Sequence, residues 1–271
     1  MNYVSIFLSM LIFVLTGCGQ PVESTLSWQD PPHSPAIRVT EHAHYALSQA
    51  IEIGLKERDL KAVIDHVYAE AGAEPCFSHI VGSGPHSTVI HYSGGYGELE
   101  DGHVMVVDIG AKFDYCADMT RTYPVNGQFT QRQWDVYNLV LSAKNSVALA
   151  AQPGGLSLND MTTWVRNFFH ESPLRAKDRS GRERTMDYFF THALGHYLGT
   201  EVHPGGDPSR PLAVGDVFTI EPGIYIDRED LGVRIEDAYI MTSEGAVNLT
   251  TFLPTEAAEI QTMVQTGVIP L

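Results

Sequence analysis

The chain has 271 residues, of which 44% are hydrophobic and 18% are charged. This is enough apolar material for one large domain or two small ones, and it excludes a disordered or collagen-like chain. The formal net charge is −16, so phosphate backbones would repel the protein and nucleic-acid binding is not expected. Acidic side chains in such excess can instead gather around a cation.

The first eighteen residues differ in character from the rest of the chain. Val4 to Leu15 forms an almost unbroken apolar run, which is shorter than the roughly 20 residues that a membrane-spanning helix needs. The run ends in Leu15-Thr16-Gly17-Cys18. This ending resembles the bacterial lipoprotein signal, although Met1-Asn2-Tyr3 carries no basic residue. The resemblance implies removal of residues 1–17, a lipid on Cys18 that anchors the protein to the membrane, and export to the periplasmic side of the cell envelope. The alternative is a tethering helix that is never cleaved.

Residues 18–37 are rich in Pro and Ser and are expected to form a flexible tether. The folded domain is predicted to span residues 38–262. Cys76 and Cys116 remain as thiols. They could pair in an oxidising envelope, but the sequence does not give the distance between them. Two unpaired, buried cysteines are the favoured interpretation.

Helical and strand patterns occur in blocks rather than in strict alternation, which favours an α+β fold. Helical spacing runs from about Ala36 to Gly72, as one helix marked by apolar residues up to Leu55 and a second that ends at Gly72. Thr130 and Ser157 are expected to cap two further helices. Strands are expected at 104–109, 217–220, 233–240 and 246–249, and a charged loop at 175–184.

The sequence contains one internal repeat, which we call the echo. Residues 101–110 align with residues 214–223 at a constant offset of 113 positions, and each copy has a Gly turn, an apolar strand and an acid followed by x-Gly. A second acid-bearing strand follows each copy, at Asp118 and at Glu236. One such string would occur by chance in many β-containing proteins, whereas two copies with matching second strands favour a chain of two similar halves.

Four acids belong to this echo, and their positions indicate a metal site. An acid at the end of an apolar strand is costly to bury alone and becomes tolerable when a cation shares it. We therefore expect the four to converge on two divalent ions, an arrangement that activates a shared hydroxide. Carboxylate-rich ligands suit Mn, Co or Fe. The four acids are Asp108, Asp118, Glu221 and Glu236.

The segment between the halves supplies candidate imidazole ligands. His192, His196 and His203 lie within twelve residues. The first two are spaced as in a zinc-protease helix, but Ala193 follows His192 where a Glu would be needed. Gly195 and a further Gly at 199 also make a regular helix weak. The simple zinc-protease interpretation is therefore excluded, and a neutral imidazole from this segment is expected as a fifth ligand.

Together these residues match a known family. The ordered set resembles the five-ligand dinuclear centre of the pita-bread metallopeptidases, which include methionine aminopeptidase, aminopeptidase P and prolidase. The set is Asp108, Asp118, His196, Glu221 and Glu236, with Gly-His-x-Leu-Gly at 195–199, Glu-Pro-Gly-Ile-Tyr at 221–225 and Arg-Ile-Glu-Asp at 234–237. The spacing of the three histidines and the Ile90-His91-Tyr92 segment are similar to the aminopeptidase P and prolidase branch. The resemblance implies a pita-bread α+β fold with pseudo-twofold halves, and it covers the catalytic domain only.

The resemblance also implies an activity and roles for site residues. We expect a peptidase that releases the N-terminal residue from peptides with Pro in second position, by attack of a hydroxide that bridges two divalent ions. Manganese is favoured, with cobalt, zinc and iron as alternatives. Glu221 is expected to act as base as well as ligand, and His203 and His192 to hydrogen-bond the substrate carbonyl. His91 is expected to shuttle a proton or to line the Pro pocket.

Two further residues have expected roles next to the metal carboxylates. Arg234 is expected to support the metal carboxylates, with Asp237 either orienting it or solvated.

Two alternative functions use the same fold, namely a methionine-aminopeptidase-like or creatinase-like hydrolase. A third is a catalytically dead, lipid-anchored binding protein. The sequence leaves the oligomeric state open.

Overall fold

The computed structural model describes residues 34–269. The predicted signal at 1–17, Cys18 and most of the predicted tether lie outside these residues. The tether prediction is wrong at its end, because residues 35–37 already form the first turn of a helix. Ser34 caps that helix by accepting a hydrogen bond from the Ala36 N–H, and Pro35 occupies the first helical position. Across 34–269, no helix combines the length and the apolar character needed to cross a bilayer.

Five α-helices lie within the described residues. The predicted caps are confirmed, since Thr130 and Ser157 each accept a hydrogen bond from a backbone N–H in the first helical turn, and Gly72 ends the second helix with φ of +67°. The first helix ends at Ala50, so the prediction that it extends to Leu55 is wrong; Gly54, with φ of +93°, turns the chain there. The helices are α1 (Pro35–Ala50), α2 (Glu57–Ala71), α3 (Gln131–Ala150), α4 (Leu158–Glu171) and α5 (Ala257–Thr266).

The strands form two three-stranded antiparallel sheets and three two-stranded ribbons. One sheet has the order β2-β3-β5 and the other β12-β11-β8, while β1 pairs with β4, β6 with β7 and β9 with β10. The strands are β1 (Glu74–Pro75), β2 (Ile80–Ser83), β3 (Val104–Ile109), β4 (Ala111–Lys112), β5 (Met119–Pro124), β6 (Arg175–Lys177), β7 (Glu183–Thr185), β8 (Val217–Ile220), β9 (Gly223–Ile226), β10 (Leu231–Arg234), β11 (Asp237–Thr242) and β12 (Gly245–Asn248).

The internal echo corresponds to a repeated strand pair. In the first half β3 pairs with β5, and in the second half β8 pairs with β11, both antiparallel. The register places Asp108 opposite Thr120, and its continuation beyond β8 places Glu221 opposite Glu236. Asp108 and Glu221, the first acids of the two halves, therefore occupy equivalent positions. The second acids do not, because Thr120 occupies the position equivalent to Glu236 and Asp118 lies two residues before Thr120.

A single bridge joins the two sheets at this equivalent pair. Thr120 and Glu236 form an isolated antiparallel bridge, in which the Glu236 N–H donates to the Thr120 carbonyl at 3.0 Å. This contact interrupts the strand predicted at 233–240, which is in fact two strands, β10 and β11. The segment predicted as a charged loop, 175–184, also differs from expectation because its ends pair as β6 and β7.

Helices pack on the sheets and enclose a hydrophobic core. α1 and α5 contact β5, α2 contacts β2, and α3 contacts β9, β10 and β12. Val104, Met105 and Val107 of β3 are completely buried, as are Phe218 and Ile220 of β8. These apolar strand residues fix the two sheets, so the acids at the strand ends have defined positions.

Cys76 and Cys116 form a disulfide, which corrects the prediction that both are unpaired. Pairing of β1 with β4 brings the two together. The Cys76 N–H donates to the Gly110 carbonyl at 2.8 Å, and Cys116 forms a bridge with Lys112, so the two Cα atoms lie 5.6 Å apart. The disulfide packs in a small cluster with Leu198, close to the histidine segment.

Candidate metal centre

Four acids reach one place from the ends of the repeated strands. Asp108 is the penultimate residue of β3, and Asp118 directly precedes β5. Glu221 directly follows β8, and Glu236 lies between β10 and β11. The Thr120 bridge to Glu236 holds the two halves edge to edge, so the carboxylates of both halves face the same interior space.

The predicted imidazole ligand lies among these carboxylates. Ligand atoms of Asp118, His196 and Glu236 all lie within 4.8 Å of one another. Nε2 of His196 is 3.3 Å from Oδ2 of Asp118 and 3.5 Å from Oε1 of Glu221. Asp108 adjoins the same cluster, since its charge adds to burial in raising the pKa of Asp118. The structure therefore brings all five predicted ligands together.

The hydrogen bonds of His196 indicate that a cation fits here. Nδ1 lies 2.9 Å from the carbonyl oxygen of Tyr197. Because a carbonyl only accepts, Nδ1 carries a proton, and Nε2 faces the oxygens of Asp118 and Glu221. A neutral imidazole and two carboxylates present only acceptors to one another, an arrangement that a proton or a metal cation between them would relieve. In addition, Oδ1 of Asp108 is buried without a hydrogen-bond partner. The donor set of four carboxylates and one imidazole matches what divalent transition metals bind.

Burial dominates the electrostatics of the carboxylates. It raises the pKa of Asp118 and of Glu236 well above the usual range, and the charges of neighbouring acids add to the effect. Burial likewise raises the pKa of Glu221, to about 7, while the nearby His196 and Arg234 oppose the shift. Without a counter-charge these groups favour protonation, so a bound cation is what allows them to be ionised together.

One arginine links Asp108 to a tyrosine and a histidine. Nη2 of Arg234 donates to Oδ2 of Asp108 at 2.7 Å, and Nη1 donates to the Tyr225 hydroxyl at 2.9 Å. The Tyr225 hydroxyl lies 2.9 Å from Nε2 of His192, whose Nδ1 lies 2.7 Å from the Ala193 carbonyl. Arg234 thus contacts Asp108, one of the predicted ligands. Both ring nitrogens of His192 are already engaged, so it has no N–H free for a substrate carbonyl, which differs from its predicted role.

Two threonines in this network were not predicted. The Thr120 hydroxyl donates to Oε2 of Glu236 at 2.6 Å, and the Thr219 hydroxyl donates to Oε1 of Glu221 at 3.3 Å. Each orients one carboxylate of the cluster. Thr120 can be identified from the strand register, which places it opposite Asp108. A single sequence does not show that register.

A glycine lets the histidine segment lie against β8. A Cβ on Gly195 would overlap the Thr219 carbonyl oxygen, so only glycine allows this approach. The Thr219 N–H then donates to the His196 carbonyl at 2.9 Å, and the His196 N–H donates to the Thr219 hydroxyl at 3.1 Å. As predicted, residues 192–203 form no helix.

The remaining predicted histidines surround the centre. The ring of His203 lies 4.2 Å from that of His196 in an edge-to-face arrangement. His91 is exposed. Burial and the charge of Arg234 lower the pKa of His192, burial and the charge of His196 lower that of His203, and the charge of His91 makes a smaller contribution to both. Burial lowers the pKa of His192 to about 3, so this imidazole is neutral at physiological pH.

Asp237 has a different role from either one predicted. It is fully buried and neither contacts Arg234 nor is solvated. Its carboxylate accepts hydrogen bonds from Nη2 of Arg121 at 2.7 Å, from the Thr250 hydroxyl at 2.8 Å and from the Lys144 ammonium. Asp237 therefore belongs to a buried ion network behind the centre, with two cations on one acid.

Comparison with known proteins identifies the family. The sequence model of metallopeptidase family M24 matches residues 33–243. The chain belongs to this family. The family's pita-bread fold was predicted from the sequence, and the structural neighbours confirm it.

Its relatives include named peptidases. The chain is 33% identical over 248 residues to an Xaa-Pro aminopeptidase of Escherichia coli, an alignment that covers 84% of this chain and 56% of that protein. It is 34% identical over 221 residues to an Xaa-Pro dipeptidase of Pyrococcus horikoshii, covering 79% of this chain and 59% of the relative. This M24 chain thus spans a little over half the length of these relatives.

Solved M24 structures align with the same region. Aminopeptidase P of E. coli with the inhibitor Pro-Leu superposes with a TM-score of 0.77 at 31% identity, over 84% of this chain and 56% of that one. A zinc-substituted form of the same E. coli protein in complex with product gives a TM-score of 0.76 at 31% identity, again over 84% of this chain and 56% of that one. Proline aminopeptidase P II from Yersinia pestis gives 0.76 at 31% identity, over 84% and 57%.

Proposed function

We propose that this chain is a metallo-aminopeptidase that removes the N-terminal residue from peptides with Pro in second position. Two divalent ions would be held by Asp108, Asp118, His196, Glu221 and Glu236. The observation that carries the proposal is the position of His196 Nε2, 3.3 Å from Oδ2 of Asp118 and 3.5 Å from Oε1 of Glu221. The relatives named Xaa-Pro aminopeptidase support the choice of substrate.

Different residues of the chain have separate roles in the proposed reaction. When bound, two divalent ions polarise the scissile carbonyl and lower the pKa of water. Glu221, whose Oε1 lies 3.5 Å from Nε2 of His196, accepts the proton of the attacking water. His203, beside His196, donates a hydrogen bond to the carbonyl oxygen as negative charge develops there. The Arg234 guanidinium fixes Asp108 through its 2.7 Å hydrogen bond.

His91 has a separate task in this proposal. It is exposed beside His192 and His203, where it can pass a proton to the leaving amine or contact the substrate proline. His192 orients Tyr225 through the 2.9 Å hydrogen bond to the tyrosine hydroxyl. Its part is therefore to hold the Arg234 network in place.

The proposal is tested with peptides that differ in one residue. Chelated protein is loaded separately with Mn, Co, Zn or Fe and assayed on Xaa-Pro peptides of two to five residues, with Xaa-Ala peptides as the matched substrates. We expect release of the first residue from the Pro series only, with highest turnover in manganese because the ligands are mostly carboxylates. Cleavage of dipeptides alone would assign a dipeptidase. Stoichiometric metal without cleavage of any Xaa-Pro peptide would refute the activity.

A matched pair of variants tests the ligand assignment. Glu236→Gln keeps the shape of a buried carboxylate of the centre and removes its charge, so we expect loss of bound metal and of turnover. Glu244→Gln makes the same change at an exposed turn between β11 and β12 and should leave both unchanged. Wild-type turnover by Glu236→Gln would show that the assignment is wrong.

We also propose that the protein is exported and lipid-anchored through Cys18. The apolar run from Val4 to Leu15, followed by Leu15-Thr16-Gly17-Cys18, supports this. The test is expression in a bacterial host followed by fractionation and mass spectrometry of the N-terminus. The wild-type protein should partition into membranes with a diacylglyceryl group on Cys18, and Cys18→Ala should lack the lipid. An unmodified wild-type Cys18 would exclude the anchor.

A further inference from the structure

We infer that Glu57 is a positioning residue that holds the loop bearing His91 in place beside the metal centre. The inference rests on the proposed function for the role of His91. Its structural basis is a set of contacts that we name the Glu57 clamp. The clamp consists of the Glu57 side chain and its four donors, Ser83, His86, Tyr92 and Gly97.

All acceptor positions of the Glu57 carboxylate are occupied. Oε1 accepts from the Ser83 N–H at 2.9 Å and from Nδ1–H of His86 at 2.8 Å. Oε2 accepts from the Tyr92 hydroxyl at 2.8 Å and from the Gly97 N–H at 2.9 Å. A carboxylate offers about four lone-pair sites, so the clamp is complete. The carboxylate at its centre is also fully buried, since the Glu57 side chain is 0% exposed.

The four donors close one loop at both of its ends. Ser83 and His86 come from the start of the loop, at and just after β2, whereas Tyr92 and Gly97 come from its far side. The backbone adds to the closure, because the Glu57 N–H donates to the Gly97 carbonyl at 3.0 Å. A charged acceptor makes each of these hydrogen bonds stronger than a neutral one would be. The loop is therefore attached to the start of α2.

His91 precedes Tyr92 directly, so the clamp acts on the backbone next to it. The Tyr92 ring stacks on the His86 ring, with centroids 4.3 Å apart and planes within 15°. A Cβ on Gly97 would overlap both Oε1 of Glu57 and Nδ1 of His86. The position of Tyr92 is thus fixed by a hydrogen bond and by ring packing, and that of His91 follows through one peptide bond.

The start of the same loop is also fixed to the metal centre. The Gly232 N–H in β10 donates to the Ser87 hydroxyl at 2.8 Å, and a Cβ on Gly232 would overlap the Ser87 carbonyl. β10 ends at Arg234, which contacts Asp108. Through this contact and the clamp, the loop has a defined position relative to the metal ligands, as a catalytic group requires.

The experiment removes one arm of the clamp. Tyr92→Phe deletes only the hydroxyl that Glu57 accepts from and keeps the ring. We expect kcat on an Xaa-Pro peptide to fall about tenfold with the metal content unchanged, because a small displacement of a reacting group is costly. Tyr96→Phe makes the same change on the same loop at an exposed tyrosine outside the clamp, and it should retain wild-type kcat. Equal losses in the two variants would overturn the inference.

A double-mutant cycle separates positioning from a general structural effect. If the clamp acts through His91, Tyr92→Phe should change kcat by no more than about twofold in a His91→Ala background. A full tenfold loss in that background would show that the clamp acts elsewhere. Glu57→Gln places an amide group against two of the donors, and it should lower kcat more than Tyr92→Phe. If Glu57→Gln does not fold, the Tyr92→Phe cycle decides by itself.

A readout without catalysis keeps this inference distinct from the proposed activity. Hydrogen exchange of the amides in residues 89–97 should accelerate in Tyr92→Phe and stay at the wild-type rate in Tyr96→Phe. Unchanged exchange in Tyr92→Phe would refute the clamp, whether or not the protein cleaves peptides. Faster exchange in a protein that holds metal and cleaves no Xaa-Pro peptide would retain the clamp and refute the proposed function.

Discussion

Among single residues, Glu41 makes stability depend on pH in an unusual direction. Its side chain lies in α1, 4% exposed, and accepts a hydrogen bond from the Phe252 N–H at 2.9 Å. Burial raises its pKa to about 7, although this hydrogen bond and the charge of Arg121 oppose the shift. A carboxyl group with a higher pKa in the folded state than in the unfolded state binds its proton more tightly when folded. Its contribution to stability is therefore lost as pH rises from about 4.5 through 7.

Replacing Glu41 by Gln should remove this dependence. Between pH 5 and pH 8 the free energy of unfolding of the wild type should fall relative to that of Glu41→Gln by about 1–3 kcal/mol. Urea denaturation at both pH values measures the difference. Glu52→Gln, at an exposed position just after α1, is the matched control and should follow the wild type. A constant difference between wild type and Glu41→Gln would mean that Glu41 titrates normally.

Among the secondary-structure elements, those governed by local sequence were predictable. The caps at Thr130 and Ser157 and the end of α2 at Gly72 depend on side chains within a few residues. The acids at the ends of β3 and β8 could be found because the echo repeats a local pattern. All four acids were therefore predicted from the sequence, Asp108 and Glu221 from the repeated pattern and the other two from the acid-bearing strand that follows each copy.

The elements that sequence reasoning missed depend on distant partners. The break between β10 and β11 exists because Glu236 pairs with Thr120 of the other half, and nothing local interrupts the run of strand-forming residues. Half of the residues in β6 and β7 are exposed and Ala176 alone among them is buried, so the hairpin lacks the apolar alternation that marks a strand. His192 was assigned a free N–H because the Tyr225 hydroxyl, 33 positions away, could not be placed beside it.

The disulfide between Cys76 and Cys116 connects two such distant elements, and its removal should weaken the fold. The bond closes a loop of 40 residues, for which chain entropy gives a stabilisation of about 4 kcal/mol. We expect a reductant to lower the melting temperature of the wild type. The double variant Cys76→Ala with Cys116→Ala should melt at the same lowered temperature with and without reductant. If complete reduction, verified by thiol titration, left the wild-type melting temperature unchanged, the disulfide would carry no stability.

For the whole molecule, the proposed metal centre draws its ligands from both halves of the domain. Asp108 and Asp118 come from the first half, Glu221 and Glu236 from the second, and His196 from the segment between them. Outside the centre the halves meet through the Thr120 bridge and the buried Asp237 network. The carboxylates of both halves repel one another when ionised, so protons or bound cations must offset their charge. Metal binding should therefore stabilise the domain as a unit.

This coupling predicts the response of chelated protein to metal. A ligand that binds only the folded state at 100 times its dissociation constant adds about 2.7 kcal/mol to the free energy of unfolding. Addition of Mn²⁺ to the chelated wild type should thus raise the melting temperature by several degrees, in a single transition, because both halves supply ligands. Glu236→Gln should lose most of the rise, and Glu244→Gln should keep it. An equal rise in both variants would place the stabilising metal outside this centre, and two separate transitions would show that the halves unfold independently.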